Sequence, residues 1–73
     1  MRVGTVVVFL APRDKASNGT QEHPAIVTRV WGNEEFPTVN MKVLPDCGEP
    51  FDATSVRHWK NGGWPVEYAY REV

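Results

Sequence analysis

The residue types able to do covalent or metal chemistry are few in this chain: one cysteine, two histidines and a scatter of serines and carboxylates. Cys47 stands between Asp46 and Gly48, with Glu49 next. A nucleophilic thiol must ionise, which a neighbouring base or cation promotes, and carboxylates carry the wrong charge for that. Cys47 therefore reads as a turn thiol. A metal centre would have to gather Cys47, His23, His58 and a carboxylate from distant positions, and no C-x-x-C or H-x-x-x-H spacing prepares one. Ser55 and His58 are three apart, an offset that points them to opposite faces of a strand, so they form no nucleophile–base pair locally. Glu34-Glu35 reads as a solvated loop pair. Gly62-Gly63 lacks the following Lys or helix that a phosphate-binding loop requires. The expectation is a protein without a catalytic centre, metal or cofactor.

The rings are a different matter. Trp31, Trp59, Trp64, Tyr68 and Tyr70 are too many for the interior of one very small domain. Some must lie on the surface or cover one end of the core. Tyr, Trp and Arg are the residue types that anchor protein interfaces. Arg57-His58-Trp59-Lys60 is a short basic–aromatic patch of the kind that stacks on nucleic-acid bases. It suits cation–π or carboxylate contacts to a protein equally well. The candidate contact residues are Arg57, Trp59, Trp64, Tyr68, Tyr70 and Arg71, followed by Arg13 and Lys15. The competing reading makes the C-terminal rings a plug over the core.

These side chains must be positioned by a single domain, because the chain has 73 residues. A chain of this size buries roughly 60% of the surface its unfolded form exposes, so the core is small. Eight Lys and Arg against nine Asp and Glu leave a net charge of −1, which disfavours a general nucleic-acid binder. Hydrophobic residues at 41% and aromatic residues at 11% disfavour disorder. The run Val6 to Ala11 is too short to span a bilayer, no export signal is apparent, and a lone cysteine fits a reducing cytoplasm. Nothing in the sequence requires more than a monomer.

Four apolar runs punctuate the chain. Val3 to Leu10 is rich in β-branched residues, which fit a pleated surface better than a helix. Ala25 to Trp31 follows Pro24 and precedes Gly32-Asn33. Thr38 to Val43 alternates, with Val39, Met41 and Val43 on one face and Asn40 and Lys42 on the other. Phe51 to Trp59 alternates more weakly, with Phe51, Ala53 and Ser55 set against Asp52, Thr54 and Val56. Gly32 to Pro37 and Pro45 to Pro50 have the length and composition of strand connections. Arg13 to His23 is a long polar loop with Asn18-Gly19 near its middle, expected to be mobile or functional. Trp64 to Val73 reads as a C-terminal tail. Together these elements predict an all-β fold: a small SH3-like antiparallel barrel or strongly bent sheet of four to five strands, with little or no helix. Val27, Val39, Met41 and Val43 are expected inside.

The segments His23 to Trp31, Val39 to Asp46 and Phe51 to Val56 resemble a pattern of small phage and prophage proteins, "PAIVTRV…VNLxVxPDG…ATSV". That pattern is similar to the KOW and Tudor type of SH3-like barrel. It covers about half of the chain and marks scaffold strands, and Cys47 interrupts its Asp-Gly turn. Within that group the chain is similar to phage-encoded regulators of host transcription. The resemblance implies docking on host bacterial RNA polymerase, at the N-terminal part of its β′ subunit. It further implies inhibition of promoter-dependent initiation and antitermination, in the cytoplasm of the infected host. Two alternatives stay open: a nucleic-acid-binding barrel, and an inhibitor of another host enzyme.

Overall fold

The β-branched runs do form strands. In the computed structural model, which describes residues 1–15 and 20–73, β1 is Val6–Leu10, β2 Glu22–Val30, β3 Val39–Val43, β4 Phe51–Val56 and β5 Ala69–Glu72. Among the described residues the helical content is one 3-10 turn, Arg13–Lys15. No helix among them is long and apolar enough to cross a membrane. The strands make one antiparallel sheet in the order β4-β3-β2-β1-β5. The chain thus meanders through four strands, and the fifth returns to the free side of β1. The all-β expectation holds.

Alternation decides which face is the core. On β3, Val39, Met41 and Val43 are each no more than 1% exposed, and Val27 on β2 is fully buried beside them. Val7, Phe9, Ala25 and Tyr70 complete the same face. Each large apolar side chain buried there contributes about 1.5–3 kcal/mol relative to its exposed state.

Several boundaries differ from the sequence expectation, each for a local reason. β1 begins at Val6 and not Val3, because Gly4 takes a left-handed φ of 95° and turns the backbone. There its N–H donates to the Val27 carbonyl at 2.8 Å. β2 starts before Pro24 instead of after it. The Pro24 carbonyl accepts from the Leu44 N–H at 2.9 Å, just beyond the end of β3, so the missing proline N–H would have faced the ladder's last rung. The expected long loop 13–23 is shorter at both ends: Arg13–Lys15 is a 3-10 turn, and Glu22 and His23 belong to β2. Asn18-Gly19 lies outside the described residues. The expected tail 64–73 is in part a strand, since Ala69–Glu72 pairs with β1.

β4 ends at Val56, well short of Trp59. Its register against β3 shifts between Val39 and Met41, where Thr54 and Ser55 oppose the single residue Asn40. Ser55 has a φ of 54°, a left-handed backbone that is uncommon without glycine. Asn40 supports the bend: its side-chain oxygen accepts the Ser55 N–H at 2.8 Å and the Trp31 indole N–H at 2.9 Å. The bulge turns the inner face over, so Phe51, Ala53 and then Val56 follow Val43, Met41 and Val39 on the core side. Past the bend the chain crosses to β5. The Tyr70 N–H donates to the Arg57 carbonyl at 3.0 Å, and the Trp59 N–H donates to the Tyr70 carbonyl at 2.9 Å. The sheet is therefore bent until its two outer strands meet over residues 57–59, and it stays open along the rest of β4.

Candidate functional site

The closure point and the open stretch place the predicted contact residues in opposite settings. At the closure, β5 sets Tyr70 opposite Phe9 on the core face, and the side chain is fully buried. Its hydroxyl donates to the Pro37 carbonyl at 2.6 Å. Burial, with Glu72 and Glu34 adding negative charge nearby, pushes the phenol up to about 12. Tyr70 is therefore withdrawn from the contact candidates: β5 is a paired strand, and its inward register leaves the ring no surface.

His58 is also fully buried, inside the patch expected to face a ligand. Its ring stacks on Phe36 at 4.0 Å and meets Tyr70 edge-on at 5.3 Å. The Lys60 N–H points at Nδ1 across 3.2 Å, so Nδ1 accepts and Nε2 carries the hydrogen, which it donates to Glu72 Oε1 at 2.8 Å. That bond holds the Glu72 carboxyl below its usual range. The basic–aromatic patch is thus divided: His58 turns inward while Arg57, Trp59 and Lys60 remain exposed. The Lys60 ammonium lies 5.6 Å from the Trp59 ring and 5.7 Å from the Phe36 ring.

The remaining candidates separate in the same way. Trp64 is half-buried, with its indole N–H directed to the Ala11 carbonyl at 3.3 Å. Arg71 is half-buried and pairs with Glu22 at 3.3 Å. Arg13 and Lys15 are exposed on the 3-10 turn. Trp31 is exposed but pinned, with the Arg29 guanidinium 3.9 Å above its ring. Cys47 is an exposed free thiol. Among the described residues, no three His, Cys, Asp or Glu side chains gather as a metal ion would require.

Tyr68 is where exposure and apolar character coincide. It borders a groove of about 580 Å³ between β4 and residues 67–68, floored by Phe9. Phe9 stacks on Tyr68 at 5.2 Å and meets Phe51 edge-on at 5.8 Å. Phe51 and Tyr68 nevertheless remain 43% and 46% exposed. Arg57 and Glu67 pair across one end at 3.0 Å, and Asp52 at the other end is held by Lys42 at 2.7 Å. The sequence pointed to Tyr68 and Arg57 but missed Phe51, Phe9 and the β4 edge. The signal was present in the weak alternation of Phe51 to Val56, which marks a strand with no well-buried face.

The backbone of β4 adds a second resource. Lys42 exchanges its ladder bonds with β2, so Met41 and Val43 exchange theirs with Ala53 and Phe51. Alternation then directs the N–H and C=O of Asp52 and Thr54 away from β3. Among the described residues no hydrogen bond reaches them. The arrangement brings together ring surface, a guanidinium and outward main-chain groups. No family model, characterised protein or solved structure matches this chain.

Proposed function

We propose that this protein is a binding module that acts by docking on a larger protein machine. The partner implied by the resemblance to small phage regulators is host bacterial RNA polymerase, at the N-terminal part of β′. The observation that carries the reading is the groove at Tyr68. A small domain with a limited core still leaves Phe51 and Tyr68 substantially uncovered around a concave surface, beside the Arg57 guanidinium. Leaving such rings wet forgoes burial that would have stabilised the fold, and rings flanked by Arg are the residues that anchor interfaces. Docking there would inhibit promoter-dependent initiation and favour antitermination, in the cytoplasm of the infected host.

The test uses purified components. Immobilised protein is challenged with core RNA polymerase and with an isolated N-terminal β′ fragment, and a promoter-dependent transcription reaction is run in parallel. Retention of both, with loss of promoter-dependent product, is the expected result. Polymerase that passes through unretained ends the proposal.

A further inference from the structure

We propose that the open stretch beside β4 is a strand-addition site for an extended, basic segment of a protein partner, whose Lys or Arg side chain lies over Phe51 and Tyr68. This rests on the docking reading and specifies what docks. Three observations converge on it. The outward N–H and C=O groups of Asp52 and Thr54 form a short template that extended main chain satisfies with up to four hydrogen bonds. Phe51 and Tyr68 present ring surface directly beside that template. An extended chain alternates its side chains, so every second residue of an added strand would project toward those rings.

Charge selects the side chain. The groove is lined by two carboxylates, and each already holds a cation, Asp52 with Lys42 and Glu67 with Arg57, so the rim itself is balanced. The exposed ring faces of Phe51 and Tyr68 make the selection: their negative quadrupoles attract a cation and repel a carboxylate. The length of the partner segment is also set. Pro50 supplies no N–H at one end. At the other, the left-handed turn at Ser55 bends the edge away, and Arg57 to Trp59 are bonded to β5. Such a short window favours a peptide-like segment over the long edge of a second copy.

The probe is a capped synthetic peptide of alternating Thr and Val with a central Lys, compared with its Glu counterpart and with an analogue N-methylated at the central residues. Titration into the ¹⁵N-labelled protein should move the Asp52 and Thr54 amides and the Tyr68 ring signals. Binding should weaken about fivefold or more with Glu in place of Lys. The N-methylated peptide should lose binding, as should Thr54→Pro, which removes an outward N–H that makes no bond within the sheet. The methylated peptide gives the same information if that variant does not fold. Equal binding of the Lys and Glu peptides, perturbations confined to another face, or no perturbation at millimolar peptide would overturn the assignment. So would a concentration-dependent dimer that Thr54→Pro dissolves, since it would give the edge to a second copy. Polymerase retained equally by parent and Thr54→Pro would refute this site while leaving the docking reading intact. Peptide binding without polymerase retention would do the reverse.

Discussion

Tyr68 and Tyr70 are two residues apart and both touch Phe9 or pair with it, yet one is 46% exposed and the other fully buried. The difference lies in what covers them. Beside Tyr70 the chain leaving β4 crosses over, and His58 is laid edge-on against the ring with Phe36 stacked behind it. Among the described residues no buried side-chain polar atom lacks a bond. Beside Tyr68 the sheet edges have not yet met. Its ring stacks on Phe9, which Phe51 meets edge-on from elsewhere in the groove. One end of the same strip is built as core and the other is left as surface, and the bulge at Ser55 is the point where the two regimes divide. Rings of one type, in near-identical sequence settings, are therefore built into the core in one place and left open to solvent in the other.

The largest perturbation breaks both regions together. Val27→Asp puts an unpaired carboxylate at the centre of the shared core, at a cost above the roughly 5 kcal/mol that holds a domain of this size. Far-UV circular dichroism should show no cooperative melt, and a melt like that of the parent would mean the core is misassigned. Next come substitutions at the closed end. Tyr70→Ala removes a buried ring and should cost about 3–5 kcal/mol. Tyr70→Phe keeps the ring but leaves the Pro37 carbonyl without its donor, and should cost about 1–2 kcal/mol in urea denaturation. If Tyr70→Phe is as stable as the parent, the closure is not held as described.

How much of this was legible beforehand follows from which interactions are local. The alternation of Val39, Met41 and Val43 is a property of adjacent residues, and it located β3 and its inward face directly. Tyr70 could not be placed that way. Its burial depends on pairing with β1 across some sixty residues of chain and on His58 arriving from a third direction. The sequence could count surplus rings but not assign them. The inversion at Ser55 was hidden for the same reason, because nothing in Thr54-Ser55-Val56 announces a bulge until Asn40 of another strand caps it. Of the site, Tyr68 and Arg57 were legible by type. Phe51 was legible only through the weak alternation of its strand, since its exposure follows from where the sheet fails to close.

A smaller effect sharpens the contrast from the open side. Tyr68→Ala removes a ring that is already half wet, so stability should fall by less than about 1 kcal/mol. If the groove anchors the partner, binding to the β′ fragment should weaken by about 2 kcal/mol, or some thirtyfold. The pattern at Tyr68 is thus the reverse of that at Tyr70: little lost in the melt, much lost in titration calorimetry. Equal binding by Tyr68→Ala and parent would leave the exposed rings without the role assigned here.

The smallest expected effect probes the closure through protons. The Nε2–H of His58 donates to Glu72 and holds that carboxyl below the 4.5 of an unperturbed glutamate. A carboxyl depressed in the folded state stabilises the fold fully above its unfolded value, and that contribution disappears as pH falls through the folded value. The window is therefore acidic, below pH 4.5, and the sign is loss of stability on acidification. Glu72→Gln keeps an oxygen that can accept from Nε2 but removes the titration. At neutral pH the variant should melt close to the parent, because Glu72 is exposed. On acidification its midpoint should fall less steeply, with proton uptake on unfolding reduced by less than one equivalent. Identical acid limbs in the two proteins would show that Glu72 is not bonded to His58 in solution. The closed end would then be held by ring packing, the Tyr70 hydroxyl and the main-chain bonds of Tyr70 with Arg57 and Trp59.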